Sequence, residues 1–182
     1  AASTPLRMTT PMPFDSLRDF MDHLESRGRL VRVKAPVSPH LEMTEIHTRL
    51  LAEKGPAVLF ENVEGYDMPV LINLFGTVER VAWGMDREPD QLRELGRTLA
   101  FLKQPEPPGG WREAMELVPV LRSALSMRPK GVSRAPCQEV VLTGDDIDLG
   151  KLPVQGCWPG EPAPLITWPL VVTKGPSKER SD

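Results

Sequence analysis

The chain has 182 residues, 40% of them hydrophobic and 26% charged, a soluble globular composition that allows one large domain, or one domain and part of a second. A formal net charge of −3 and a pI near 5.7 leave no basic footprint and argue against nucleic acid as a partner. Two cysteines, Cys137 and Cys157, are too few for a disulfide framework and lack metal-ligand spacing, and no apolar run approaches the roughly 18 residues of a membrane span, so a reducing cytoplasm is the expected setting.

The opening "AASTPLRMTTPMPFD" lacks the basic and long apolar regions of a signal peptide, and residues 1–13 are expected to be a disordered leader. Ser16-x-x-Asp19 resembles a capping box. Leu17, Phe20, Met21 and Leu24 then fall on one helical stripe that Gly28 ends. "RLVRV" (29–33) has strand alternation, with Leu30 and Arg32 on one side and Val31 and Val33 on the other. "SPHLEMTEIHTRLLAEKG" predicts a helix with Ser38 as N-cap, Pro39 at its first position, Gly55 as C-cap, and Met43, Ile46 and Leu50 on the buried face.

"AVLFENV" (57–63) and "PVLINLFG" (69–76) read as strands around a Glu-Gly-Tyr-Asp turn, and their alternation with helices predicts an α/β domain over 14–131. Val78 to Met85 is expected to be a short helix. Asp90 caps the next, in which Leu92, Leu95, Leu99 and Leu102 keep helical spacing. "KQPEPPGG" (103–110) breaks the chain, and "WREAMELVPVLRSALSM" is helical in pieces because Pro119 interrupts it. The 20 prolines are about twice the usual share and cluster at 105–108 and 153–169, which places rigid, irregular connections there. Past "RPKGVSRAP" helical periodicity stops. "CQEVVLTG" and "LITWPLVVT" are read as strands flanking a turn-rich "DDIDLGKLP", so 132–182 is expected to open a β domain. The closing "WPLVVTKGPSKERSD" then announces a hairpin with its second strand missing or nearly so, the expectation for a domain cut within its sheet.

Candidate sites are few. His40 and His47, with Glu42 and Glu45 nearby, would share a helix face but nearly two turns apart, about 10 Å; a solvated face is the reading. Asp145, Asp146 and Asp148 lack the framework of a calcium loop and read as an acidic turn capping a short helix. Cys157, beside Trp158, has no readable base and is taken as structural. Neither a Gly-x-Gly-x-x-Gly nor a Walker pattern occurs.

Three stretches in order carry a resemblance. "LRDFMDHLESRGRLVRV", "GPAVLFENVEGYDMPVLINLFGTVERVAWGM" and, most specifically, "LTGDDIDL" followed by "LPVQ", "CWPG" and "ITW" resemble the start of the UbiD family of decarboxylases, in particular the polyprenyl 4-hydroxybenzoate carboxy-lyases of ubiquinone biosynthesis. The resemblance implies an α/β N-terminal domain followed by the first strands of a flavin reductase-like split β-barrel, here truncated. It implies prenylated FMN as cofactor with Mn2+ or Mg2+ and K+, and decarboxylation through a covalent adduct for which the modified flavin is the electron sink. It also implies a polyprenylated aromatic acid as substrate, a flavin prenyltransferase as cofactor supplier, a homo-oligomer for the intact protein, and a cytoplasmic enzyme with peripheral contact at the inner membrane.

The resemblance places Thr167 on a cofactor-facing strand. Counting fifteen residues on from Thr167 reaches Asp182, where the family carries a metal-binding Asn in "Asn-Leu-Gly-Ile-Tyr-Arg". Asp there offers oxygen to a hard cation but adds a charge and loses an amide donor. The family's catalytic residues have no counterpart in the chain, which is therefore expected to be inactive alone. The alternative is a stand-alone α/β binding or interaction module.

Overall fold

The computed structural model describes residues 14–103, 110, 115, 118 and 131–177. The leader 1–13 lies outside them, as does most of the piecewise helix expected at 111–127. The chain divides into two units, Ala1–Leu30 with Leu74–Asp148, and Val31–Asn73 with Leu149–Asp182.

In the first unit, α1 (Leu17–Ser26) begins as its cap predicts, with Ser16 Oγ accepting from the Asp19 amide at 3.2 Å. Phe20 and Leu24 are its buried residues. The helix ends in a Schellman motif: the Gly28 amide donates to Glu25 O and the Arg29 amide to Leu24 O, while Gly28 takes φ +65°, which its missing Cβ permits. α3 (Val78–Gly84) is capped by Thr77 and ends in the same motif, but here Asp86 holds the left-handed position at φ +53°. Phe20 stacks on Phe75 with centroids 5.8 Å apart. Arg80 is buried and donates from Nε to the Leu74 carbonyl at 2.9 Å.

α4 (Leu92–Lys103) follows a 3-10 turn over Pro89–Gln91. Its cap is not Asp90 as the spacing suggested: Glu88 occupies the N-cap, and its amide donates to Gln91 Oε1 at 3.0 Å, because Pro89 sets the first turn earlier.

The second unit holds the sheet except for Leu30 at its edge: β1 (Leu30–Val33), β2 (Ala57–Phe60) and β3 (Val70–Ile72), in the order β1-β2-β3. β2 and β3 pair antiparallel with Val58 opposite Ile72 and Phe60 opposite Val70, as the turn between them predicts. All four residues of β2 are buried, which suits a central strand. β1 departs from simple alternation. Val31 and Arg32 are both exposed, and Arg32 Nη1 reaches Glu61 at 3.2 Å. Val37, Met43, Val58, Phe60, Val63 and Ile72 form the core, with Ile46 and Leu50 packed against it.

α2 (Glu42–Ala52) starts later than Ser38 and Pro39 predict. Pro39 to Leu41 are engaged elsewhere: the Gly156 amide donates to Pro39 O, and the Leu41 amide donates to Gly156 O at 2.9 Å. Leu41 turns into the helix at φ +65°, and Glu42 reaches back to accept from the Ser38 amide at 2.7 Å. His40 is therefore off the helix, and the shared face expected of His40 and His47 does not form. At the other end Lys54, not Gly55, takes the left-handed position, and the Gly55 amide closes the Schellman bond to Leu50 O at 2.7 Å.

The two expected C-terminal strands are not strands. Pro136–Gln138 and Gly144–Asp146 are 3-10 turns, and 164–175 has no ladder partner among the described residues. Val140 is 78% exposed and Leu170 94%, so their apolar side chains find nothing to pack against among those residues. High β-propensity without a neighbouring strand does not make a sheet. Among the described residues no helix is long and apolar enough to cross a membrane.

Candidate functional site

The family-like segment from Leu149 onward is tied into the second unit by backbone. His40 and Gly156 form a parallel bridge, and the Leu165 amide donates to Gln155 O at 3.2 Å. Gln155 Nε2 lies 3.7 Å from Met43 Sδ. A Cβ on Gly156 would stand 2.5 Å from His40 Nδ1, so a side chain there would have to displace the exposed His40 ring. Next to it the Cys157 amide donates to Glu161 Oε1 at 2.6 Å, and the Cys157 side chain is buried, a structural cysteine as its surroundings in sequence suggest.

Thr167 lies on an exposed bend outside any strand, and Asp182 lies outside the described residues. Asp145, Asp146 and Asp148 are exposed on and after a short 3-10 turn, without the preceding strand. Among the described residues no three His, Cys, Asp or Glu side chains come together as a cation site. The described residues alone do not make up a flavin-phosphate or divalent-metal site, and no reaction step is assigned to them.

A different feature went unnoticed in the sequence. In the first unit a cleft of about 410 Å3 opens between the C-terminal ends of α1 and α3, lined by Phe14, His23, Arg27, Trp83, Arg87 and Gln91. Asp86 and Glu88 also line it. The Arg27 guanidinium lies over the Trp83 ring, 4.6 Å from its centroid, and His23 meets the same ring edge-on at 5.7 Å. Phe14 packs at 5.1 Å from His23. His23 and Arg27 are one helical turn apart, a spacing visible in sequence, but nothing local connects them to Trp83.

Burial, and then the charge of Arg27, lower the His23 pKa, and burial lowers that of His47. Both fold with pKa values below the ordinary 6.5, so the unfolded chain binds more protons as pH falls. Stability is therefore expected to be full above about pH 6.5 and to decline as pH drops through the lowered folded values. Urea midpoints at pH 7.5 and 5.5 check this. Glutamine at 23 and 47 is expected to flatten the difference, and an unchanged pH dependence in that double variant would contradict it.

The family profile for the 3-octaprenyl-4-hydroxybenzoate carboxy-lyase N-terminal domain matches residues 21–99, and that for the Rift-related domain of the same enzyme matches residues 130–182. Among solved structures, an evolved dimeric form of the UbiD-class enzyme HmfF from Pelotomaculum thermopropionicum, in complex with prFMN, is 32% identical over 50% of this chain and 21% of its own, with TM-score 0.42. Sedimentibacter hydroxybenzoicus vanillic acid decarboxylase in its closed form is 31% identical over 52% of this chain and 21% of its own, with TM-score 0.43. Klebsiella pneumoniae 3,4-dihydroxybenzoic acid decarboxylase is 25% identical over 46% and 20%, with TM-score 0.40. The chain thus spans about a fifth of the length of these structures. With both profiles of one enzyme matched in order over most of its length, the chain belongs to the UbiD family.

Proposed function

We propose that this chain is the amino-terminal part of a non-oxidative decarboxylase acting on a polyprenyl 4-hydroxybenzoate in ubiquinone biosynthesis. One observation carries the reading: the N-terminal and Rift-related profiles of that carboxy-lyase both match, in order, at 21–99 and 130–182. On this reading the boundary falls near residue 132. The exposed apolar stretches at 140–142 and 165–172 are the first strands of a split β-barrel that close only against further strands. Prenylated FMN with Mn2+ or Mg2+ and K+ supplies the electron sink in the intact, oligomeric protein, and a flavin prenyltransferase supplies the cofactor. Thr167 is the residue described here that would face that cofactor, with Asp182 toward its metal. The substrate's polyprenyl tail brings the cytoplasmic enzyme to a membrane surface.

The test is substrate preference in a chain continued through the family's "Leu-Gly-Ile-Tyr-Arg" segment and beyond, loaded with prenylated FMN. Release of CO2 from octaprenyl 4-hydroxybenzoate in preference to vanillic or 3,4-dihydroxybenzoic acid is expected. Equal or faster turnover of either small acid would assign another substrate.

A further inference from the structure

The cleft in the first unit has the composition of a binding site rather than of a packing defect. Its volume, about 410 Å3, falls within the range of roughly 300–1,000 Å3 typical of small-molecule pockets. The ends of α1 and α3 explain why basic side chains gather there, since helix C-termini favour cations. They do not explain the state of Arg27. Its guanidinium lies against Trp83, and among the described residues it makes no ion pair, although Asp86 and Glu88 line the same cleft. An arginine whose guanidinium carbon lies over an aromatic face at this distance, with no carboxylate bound to it among the described residues, retains N–H groups in a planar fork, the geometry that takes carboxylate or phosphate oxygens in pairs. His23, packed among Phe14, Phe20 and Trp83, adds a second donor beside it.

We propose that this cleft binds a small organic oxyanion, a carboxylate or phosphate monoester attached to a flat apolar group, with the oxyanion on the Arg27 fork and the flat group against Phe14 and Trp83. The proposal does not depend on the decarboxylase reading. Asp86 and Glu88 oppose a bare ion, so the apolar group must contribute to affinity. Arg87 adds positive charge to the lining. An oxyanion placed beside His23 favours its protonated form, so binding raises the His23 pKa from its lowered value.

The experiment is a titration of the isotope-labelled 182-residue chain followed by NMR at the His23 ring and the Trp83 indole, with phenyl phosphate, phenylacetate, phenol and inorganic phosphate as probes. Saturable shifts at both residues are expected with phenyl phosphate or phenylacetate, the tighter of the two identifying the oxyanion. Phenol and inorganic phosphate are expected to bind at least tenfold more weakly. Arg27→Ala is expected to weaken binding at least tenfold and Arg27→Lys to recover part of it, while the His23 pKa rises in the liganded chain. Arg27→Gln, which keeps the stem over Trp83, replaces the alanine variant if that one loses its dispersed spectrum. Non-saturating shifts, equal binding of phenol, affinity unchanged when the guanidinium is removed, or an unmoved His23 pKa would each overturn the proposal.

Discussion

Truncation of Phe60 to alanine is expected to destabilise the sheet-bearing unit by about 3–5 kcal/mol, the usual cost of removing a buried aromatic ring and leaving the space it filled. Phe60 is 2% exposed on the strand whose four residues are all buried, and it belongs to one cluster with Met43, Val58 and Ile72. That cluster joins β2, β3 and α2, so no single element can shift to fill the gap. Leu170→Ala, at a side chain 94% exposed, is the matched control, with an expected change within about 0.5 kcal/mol. Urea unfolding of both variants checks the contrast. Comparable losses would mean that the apolar C-terminal stretch is packed in solution.

The second large effect is expected at Asn73. Its side-chain amide donates to Gly55 O at 3.1 Å and to Pro56 O at 2.9 Å, tying the end of β3 to the entry of β2, and its backbone sits at φ +56°. Alanine removes both bonds at a buried position and places a Cβ-bearing side chain without local hydrogen bonding in the left-handed region. Together these cost about 2–4 kcal/mol. Asn73→Gly separates the two contributions, since glycine accepts the backbone angle and loses only the amide. Its expected loss is smaller than alanine's by about 1 kcal/mol. A glycine variant no more stable than the alanine variant would show that the left-handed backbone carries no strain.

Local chemistry made much of the first hundred residues legible. Ser16 and Gly28 bound α1, the turn after Val63 sets the β2-β3 hairpin, and the short helix from Val78 appears where its apolar residues recur. Where the reading failed, a distant partner decided. The N-cap signal at Ser38 lost to Gly156, more than a hundred residues away, whose backbone bonds hold Pro39 and Leu41 out of the helix. Lys54 and Asp86 occupy positions usually given to glycine, so neither helix end could be located from glycine alone. The valines at 140–141 and 171–172 have strand propensity, but propensity forms a sheet only when a neighbouring strand is present. The cleft could not be anticipated because Phe14, His23 and Arg27 meet Trp83 and Arg87 only after the helices pack. Family membership was legible for the opposite reason: it lies in a string of residues, "LPVQ" through "ITW", whose packing contributes little to recognising it.

The proposed reading, that the chain is the amino-terminal part of a prenylated-FMN decarboxylase whose cofactor site needs residues beyond those described, is tested most directly by titrating prenylated FMN and Mn2+ into two proteins. One is the 182-residue chain, and the other is the same chain continued through the family's later motif segments; flavin fluorescence reports binding. Loss of two or three charge-assisted contacts, each contributing about 1.5–3 kcal/mol, weakens affinity by orders of magnitude. The expected result is tight, Mn2+-dependent binding by the longer protein and affinity at least a hundredfold weaker, without metal dependence, in the shorter. Tight, metal-dependent binding by the 182-residue chain would contradict the account and make Thr167 and Asp182 ligands in their own right.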